Sequence, residues 1–292
     1  MSLPGADQAA PIRSGFVTVI GRPNVGKSSL VNRILGTKVS IISATPNTTR
    51  TRVRGVLDRP DAQAVFVDTP GIHKPRTALG ERLNQTASDA MDGVDVCILV
   101  VDATGQIGRG DRFVAGQAPS DTIVAVNKTD RASPATILSR LRSAQETLEL
   151  ADAEYFPISA LTGDGVAELV ETVVARLPRG PRYYPRGMVS DVPEAFFVAE
   201  LVREQLLRHA REELPHSIAC VVTEWEWPRI RCEILVERES QKGIVIGKGG
   251  STLKAAGIAA RAQLEPGAFL ELFVKVEKDW QRSTDMIERL GY

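Results

Sequence analysis

Short apolar runs alternate with amphipathic segments through the first part of the chain. The apolar runs predict strands, and the segments between them, with apolar residues at a period near that of a helix, predict helices. The predicted strands are 16–20, 64–67, 96–101, 122–126 and 155–158, and the predicted helices lie near 27–35, 82–93, 109–118, 135–150 and 166–176. This alternation is typical of a doubly wound, mostly parallel sheet with helices on both faces, so the expected fold class is α/β.

The alternation stops at a segment rich in proline, glycine and arginine. Residues 179–193 include Pro181, Pro185 and Gly187, which do not continue a helix or a central strand. We therefore predict a linker at 179–193 between a first domain at 15–178 and a second at 194–292. Residues 1–14 have neither the basic nor the apolar part of a signal peptide and are expected to form a disordered lead-in.

The second domain has a different order of elements, typical of a smaller α+β domain. An amphipathic helix at 195–213 precedes two strand-like runs at 217–226 and 229–238, which read as a hairpin around Trp227 and Pro228. A Gly-rich segment at 247–250, a helix at 251–263, a strand at 270–276 and a final helix at 280–290 follow.

Charge balance, cysteine spacing and the length of the apolar runs limit the classes of protein to which this chain can belong. Lys plus Arg and Asp plus Glu both number 36, so there is no global attraction to nucleic acid, and any such binding requires a local basic patch. Cys97, Cys220 and Cys232 are far apart in predicted strands, which indicates reduced core residues, argues against zinc and disulfides, and favours the cytoplasm. No apolar run is long enough to span a membrane.

The most informative motif is Gly-Arg-Pro-Asn-Val-Gly-Lys-Ser at 21–28, which lies between a predicted strand and a predicted helix. A polyphosphate requires backbone N–H groups that converge on its oxygens, and a glycine-permitted turn at a helix N-terminus presents them. Lys27 can reach the β- and γ-phosphates, and Ser28 can bind magnesium. The predicted nucleotide contacts here are Gly21, Arg22, Pro23, Asn24, Val25, Gly26, Lys27, Ser28 and Ser29.

A second motif identifies the base. The apolar run that ends at Val126 leads into Asn127-Lys128-Thr129-Asp130. The Asp130 carboxylate can accept hydrogen bonds from guanine N1–H and N2–H₂, whereas adenine offers an acceptor at N1 and no amino group at C2. The residues Asn127, Lys128, Asp130, Ser159 and Ala160 are therefore predicted to bind guanine, with the Ala160 amide directed at O6. The expected ligands are GTP and GDP.

Between these motifs, the strand at 64–67 leads into Asp68-Thr69-Pro70-Gly71. Asp68 is predicted to hold Mg²⁺ through water, and the amide of Gly71 to meet the γ-phosphate. The order of the four motifs resembles that of TRAFAC-class GTPases. Ile72 also belongs to the predicted nucleotide site, but it stands where Ras-type enzymes carry the glutamine that orients the attacking water, so hydrolysis must be organised differently.

Residues 44–52 match the TPxTTRxR first switch of Era, MnmE and Der-type GTPases. By that resemblance Thr49 ligates Mg²⁺ when the γ-phosphate is present, and Thr48 is the alternative. The resemblance also implies that Asn24 holds K⁺, whose positive charge would act like an arginine finger; alternatively, Asn24 only tolerates the turn. Without the Ras-type glutamine, turnover is expected to be slow, and with K⁺ at Asn24 it should be faster in KCl than in NaCl. The residues expected to carry catalysis are Lys27, Thr49, Asp68 and Gly71.

In the second domain, helix, strand, strand, helix–GxxG–helix, strand is the order of a type II KH domain. Such a domain clamps about four nucleotides at the GxxG loop. Residues 241–263 are basic and contain no acidic residue. The predicted RNA contacts are Lys242, Gly247, Lys248, Gly249, Gly250 and Lys254. The alternative for the GxxG segment is a Gly-rich turn in a small domain that binds protein. For the linker at 179–193, two interpretations stay open: its arginines contact RNA phosphates, or they are solvated.

Residues 237–250, together with the first switch and the Asn-Lys-Thr-Asp motif, closely resemble the bacterial Era family over nearly the whole chain. That family implies binding near the 3′ end of 16S rRNA and a checkpoint in assembly of the 30S subunit, with GTP favouring RNA engagement and hydrolysis favouring release. It also implies a monomer in the cytoplasm with peripheral association at the inner face of the cell membrane. A GTP-controlled protein-interaction switch is the alternative; MnmE- and Der-like proteins are disfavoured, because the C-terminal cysteine of the one and the second P-loop of the other are missing.

Overall fold

The computed structural model describes residues 12–45, 48–72, 78–209 and 217–292. The strands of the first domain are β1 (Ile12–Ile20), β2 (Val53–Asp58), β3 (Ala62–Asp68), β4 (Val96–Asp102), β5 (Ile123–Asn127), β6 (Glu154–Pro157) and β7 (Arg179–Gly180). Its helices are α1 (Lys27–Leu35), α2 (Ala78–Asp89), α3 (Arg109–Ala115), α4 (Pro134–Thr147) and α5 (Val166–Arg176). The main sheet order is β2-β3-β1-β4-β5-β6. The mostly parallel α/β fold is confirmed.

Apolar cores lie on both faces of this sheet, as expected for a parallel sheet covered by helices. On one face Val17 and Ile98 pack with Leu30 of α1 and Leu169 of α5. On the other face a second apolar cluster includes residues of α3 and α4. Because β1, β3, β4 and β5 run parallel, the residues that follow them meet at one edge of the sheet, where such folds bind ligands.

Two strands of the first domain were missed. β2 runs antiparallel to β3 at the sheet edge, and Arg54 and Asp58 interrupt the apolar run that would have predicted it. β7 is only two residues long and pairs with the start of β1. β1 begins at Ile12, inside the predicted lead-in, and α2 begins at Ala78 instead of residue 82. The rest of the lead-in, residues 1–11, lies outside the described residues.

The segment predicted as a linker is fastened to the first domain. Arg182 donates from Nε to Asp58 Oδ1 over 3.1 Å, and Gln63 Oε1 accepts the amide of Tyr183 at 2.8 Å. Farther along, the amide of Val56 in β2 donates to a carbonyl of this segment. The segment therefore follows the edge of the sheet, and the Arg182 guanidinium is used within the protein, not held out toward RNA.

The second domain consists of α6 (Glu194–His209), β8 (Ala219–Glu226), β9 (Arg229–Val236), α7 (Glu239–Ile246), α8 (Ser251–Arg261), β10 (Phe269–Val276) and α9 (Thr284–Arg289). The sheet order is β10-β9-β8, with β10 parallel and β8 antiparallel to β9. This is the predicted order of a type II KH domain. The last helix is shorter than predicted because Ser283 is extended and caps α9 by accepting the amide of Met286. The predicted end of the first helix, within residues 210–216, lies outside the described residues.

Candidate functional site

The phosphate loop joins β1 to α1, as the motif predicts. The Lys27 side chain is 6% exposed, and its Nζ donates to the carbonyl oxygens of Gly21 and Arg22, each over 3.1 Å. Burial lowers the Lys27 pKa to about 8, although the charge of Asp68 opposes this effect. A cation that is buried and bonded only to neutral carbonyls in this way is well suited to an incoming phosphate.

Three oxygen-bearing side chains converge next to this lysine. The hydroxyls of Ser28 and Thr49 lie 2.9 Å apart, and Thr49 Oγ1 donates to Asp68 Oδ2 over 3.3 Å. Burial raises the pKa of Asp68, and among the described residues its Oδ1 makes no hydrogen bond. Hydroxyl and carboxylate oxygens are the ligands that Mg²⁺ prefers, so the residues present fit this ion.

The geometry separates the two candidate threonines. Thr48 donates its hydroxyl to the carbonyl oxygen of Thr45 over 2.7 Å, away from Asp68. Thr49 is the one that contacts Ser28 and Asp68. The arrangement therefore favours Thr49 as the magnesium ligand.

The segment after β3 packs directly on the phosphate loop. A Cβ on Gly71 would lie 2.7 Å from the backbone nitrogen of Pro23, so only glycine permits this approach. The amide of Ile72 donates to the Gly21 carbonyl over 3.3 Å, and the Ile72 side chain is buried in the apolar core. An apolar side chain in the core cannot orient water, which agrees with a hydrolysis mechanism unlike that of Ras. Thr69, next to Pro70, donates its hydroxyl to the Val19 carbonyl over 2.8 Å.

The base-recognition motif is tied to the phosphate loop. Asn127 donates from Nδ2 to the Val25 carbonyl and accepts the Ala160 amide at Oδ1, both over 2.9 Å. Lys128 donates from Nζ to the Asn24 carbonyl over 2.7 Å and pairs with Asp102 at 2.6 Å. In this structure the Ala160 amide, predicted to contact guanine O6, is thus bonded to Asn127.

A cavity of about 670 Å³ extends from Ser29 and Asn127 past Asp130 and Ala160 to α6 of the second domain. Asp130 is exposed there, and Ser159 donates from Oγ to Asp130 Oδ1 over 2.6 Å. The volume is ample for a base and its ribose.

Sequence reasoning missed a residue that supports the loop at Ala160 and Leu161, next to the predicted guanine site. Arg33 of α1 donates from Nε to the Ala160 carbonyl over 3.0 Å and from Nη2 to the Leu161 carbonyl. Nothing distinguishes Arg33 from other polar residues of an amphipathic helix, because its partners lie far along the chain.

The second domain presents its Gly-rich loop as predicted. Gly249 has φ 61° and is exposed, with open space where a Cβ would lie. Gly247 and Gly250 also have positive φ. Lys248 and Lys254 are exposed, whereas Lys242 is partly buried. Beside the loop runs a groove of about 350 Å³, lined by Lys254 and other residues of α8 and by Leu270 and Leu272 of β10.

These features define a class: a P-loop guanine-nucleotide-binding domain joined to a KH domain. A family model described as 50S ribosome-binding GTPase matches residues 16–128, and a KH domain model matches residues 213–281. GTPase Era of Mycobacterium tuberculosis strain H37Rv is 44% identical, over 96% of this chain and 98% of the relative. GTPase Era of Mycobacterium avium strain 104 is 45% identical, over 96% and 99%.

Two solved structures are similar over almost the whole chain. Era in complex with MgGDPNP and nucleotides 1506–1542 of 16S ribosomal RNA has a TM-score of 0.90 and 39% identity, covering 96% of this chain and 99% of that one. An Aquifex aeolicus Era variant bound to GDP·AlF₄⁻ has a TM-score of 0.89 and 38% identity, with the same coverage. The chain belongs to the Era family of GTPases, and its reaction is the hydrolysis of GTP to GDP and phosphate.

Proposed function

We propose that this GTPase binds near the 3′ end of 16S ribosomal RNA through its KH domain and acts as a checkpoint in assembly of the 30S subunit. The observation that carries the proposal is the presence, in one chain, of a complete GTP site and a basic GxxG loop with an adjacent groove. The similar Era structure was solved with MgGDPNP and a 16S rRNA fragment. The cofactors are GTP or GDP with Mg²⁺, which Ser28, Thr49 and Asp68 would hold.

In hydrolysis, the residues of this chain bind and orient the nucleotide. Lys27 neutralises charge on the β- and γ-phosphates, and the backbone at Gly71 faces the γ-phosphate. Bound Mg²⁺ supplies additional positive charge to the phosphates. Asp130 fixes the base, and the buried Ile72 leaves the attacking water to other groups.

On the RNA side, the GxxG loop allows a close approach of the phosphate backbone. Gly249 has no side chain to block a phosphate, and Lys248 and Lys254 supply positive charge. The groove beside the loop contains apolar side chains, among them the half-exposed Ile258. Apolar walls next to a basic loop suit the bases and the phosphates of a single strand respectively.

Helix α6 gives the nucleotide state a route to this surface. Its residues Val202 and Leu206 pack in one core with Ala256 and Ala260 of α8, the helix that begins directly after the GxxG loop. The other side of α6 contacts the first switch. GTP is therefore proposed to favour RNA engagement, and hydrolysis to favour release.

Gly249→Asp is expected to weaken binding of a 16S 3′-end RNA by about tenfold or more in the presence of GDPNP and Mg²⁺, because a carboxylate would face the phosphates. Fluorescence anisotropy with labelled RNA measures the effect. Basal GTP hydrolysis should remain unchanged, because Gly249 lies outside the nucleotide site.

Gly93→Asp is a matched control. Gly93 is exposed and has φ 69° with open space where a Cβ would lie, but it belongs to the first domain, between α2 and β4. Equal RNA affinity of the two variants would contradict the role of the GxxG loop. If the wild-type protein binds no RNA at all, the protein-interaction switch becomes the better proposal.

Potassium is proposed as a further cofactor at Asn24. Its Nδ2 donates to the Ala44 carbonyl over 2.7 Å, which leaves Oδ1 as an acceptor beside the phosphate loop. GTP turnover is expected to be about tenfold faster in KCl than in NaCl, since a cation there would stabilise charge on the phosphates. Asn24 has φ 65°, so Asn24→Gly keeps the turn while removing the amide. Loss of the KCl effect in Asn24→Gly supports the ion site; an unchanged KCl effect means that Asn24 serves only the turn.

We further propose a monomer located in the cytoplasm. Cys97, Cys220 and Cys232 are buried free thiols, and burial raises the pKa of the Cys97 thiol to about 12, as suits reduced core cysteines. No described helix has the length and apolar character needed to cross a membrane. Peripheral membrane association stays a prediction of the family resemblance, and no described residue supports it.

A further inference from the structure

Three consecutive buried residues, Thr48, Thr49 and Arg50, contact two different domains. Thr49 belongs to the magnesium site described above. Arg50 extends into the second domain, where its Nη1 donates to the carbonyl oxygen of Ile218 over 2.8 Å. The carbonyl oxygen of Thr48 accepts a hydrogen bond from Nη2 of Arg203, a fully buried residue of α6.

The second domain provides a socket for Arg50, formed by Ile218, Trp280 and Tyr292. The guanidinium carbon of Arg50 lies 5.4 Å from the Trp280 ring centre and 5.2 Å from that of Tyr292. Both rings are buried, and Trp280 is fixed by donating from Nε1 to the Ser217 carbonyl over 2.9 Å. Cation–π contacts are strongest when they are shielded from water, as here.

A buried carboxylate, Glu200, lies near both Arg203 and Arg50. Arg203 pairs with Glu200 through Nε at 2.7 Å and Nη2 at 2.5 Å. Burial would lower the pKa of Arg203, but Glu200 outweighs burial and raises it. Burial and the nearby Arg203 charge lower the pKa of Arg50. Glu200 therefore balances two buried guanidinium groups, and removal of one would disturb the others.

The segment just before the first switch is attached to the same helix. Glu204 accepts a hydrogen bond from Lys38 Nζ at Oε2 over 2.6 Å and from the Ile42 amide at Oε1 over 2.9 Å. Helix α6 thus holds the chain upstream of Thr49, through Lys38, Ile42 and the Thr48 carbonyl. On the downstream side, Arg50 is held by the socket, which lies outside α6.

We propose that Arg50 is a positioning residue for GTP hydrolysis, which holds Thr49 at the magnesium site by occupying the socket of the second domain. Consecutive Cα atoms are about 3.8 Å apart, so an Arg50 whose guanidinium is held in the socket limits how far Thr49 can move from the magnesium site. The Arg50 guanidinium lies in the socket of the second domain, so the proposed role is to position Thr49 and not to contact the phosphates. The inference depends on the assignment of Thr49 as a magnesium ligand, and the experiment therefore tests that assignment separately.

The test compares Arg50→Ala with the wild type in the full chain. The variant should lower kcat by about tenfold or more and raise the half-saturating Mg²⁺ concentration, with KM for GTP and Kd for GDP little changed. The ratio of GDPNP to GDP affinity should also fall. Arg54→Ala is the matched control, because Arg54 pairs with Asp191 at 3.2 Å on the exposed side and does not enter the socket.

Thr49→Ala separates the two assignments. If Thr49→Ala leaves the Mg²⁺ requirement unchanged, the magnesium assignment is wrong. If Thr49→Ala raises that requirement but a folded Arg50→Ala does not, the positioning role of Arg50 is overturned and the GTP site stands.

A second measurement does not depend on a variant of the socket. Trp225 and Trp227 are 38% and 51% exposed, so Trp225→Phe with Trp227→Phe leaves the buried Trp280 as the single tryptophan. Its emission should shift when GDPNP with Mg²⁺ replaces GDP, because Arg50 and Thr49 move together. An unchanged spectrum, at saturation with either nucleotide, would overturn the coupling.

Discussion

Asp130→Asn should weaken GDP binding by about 1,000-fold and convert the site to one that prefers xanthine nucleotides. The Asp130 carboxylate can accept from both N1–H and N2–H₂ of guanine. In Asp130→Asn the side-chain NH₂ would face the N2–H₂ group of guanine. Both groups are hydrogen-bond donors, so neither would find an acceptor in the bound complex. Xanthine carries a carbonyl at C2, which accepts from the side-chain NH₂ of the new asparagine. The N1–H of xanthine donates to the side-chain oxygen of the same asparagine. Titration calorimetry with GDP and XDP measures the exchange.

The control for this exchange is Asp164→Asn. Asp164 is an exposed aspartate of the same region and accepts from Thr162 Oγ1 over 2.7 Å. The Asp164→Asn variant should bind GDP with the affinity of the wild type. If Asp130→Asn retains GDP affinity and gains none for XDP, Asp130 does not read the base.

The parts of the nucleotide site that the sequence could predict are those with local causes. Lys27 and Ser28 begin a helix directly after a glycine turn, and Asn127 ends a buried strand. Such residues are placed by the rule that loops after parallel strands meet at one edge of the sheet. Their neighbours in space follow from their neighbours in sequence, so motif and structure agree.

What the sequence could not predict depends on partners far along the chain. The polar residues of α6 resemble the solvated face of an amphipathic helix, yet Glu200 and Arg203 are buried against the first switch. Arg50 lies in a motif of polar residues that is typical of a loop, and its socket is formed by residues more than 160 positions later. Periodicity describes which face of a helix is apolar, but it does not reveal which polar groups will be paired in an interface.

The same limit explains the segment between the domains. Proline and glycine correctly indicate that no helix or long strand continues through residues 179–193. They do not indicate that Arg182 finds Asp58, or that Gln63 accepts two backbone amides of the segment. Backbone and side-chain hydrogen bonds to a sheet edge leave no periodic signal in the sequence.

Lys27→Ala is expected to weaken GTP binding by about 100-fold and to remove its dependence on pH in the alkaline range. The Lys27 pKa is about 8 in the nucleotide-free protein, and the bound phosphates should raise it because they stabilise the charged form. Between these two pKa values the free protein has lost the proton that the complex retains. Binding then takes up a proton, and the GTP affinity of the wild type falls as pH rises above 8.

Titration calorimetry at about pH 9, in two buffers of different ionisation enthalpy, counts the protons taken up. The wild type should take up most of one proton per GTP, Lys27→Ala should take up none, and the exposed control Lys275→Ala should match the wild type. In the folded protein without nucleotide, the lowered Lys27 pKa should make the free energy of unfolding depend on pH. Since its Lys27 pKa is below the ordinary value of 10.5, the unfolded chain binds more protons between pH 8 and 10.5, and this residue's cost to stability is relieved as pH rises through that window. Proton uptake that persists in Lys27→Ala would place the titrating group elsewhere in the site.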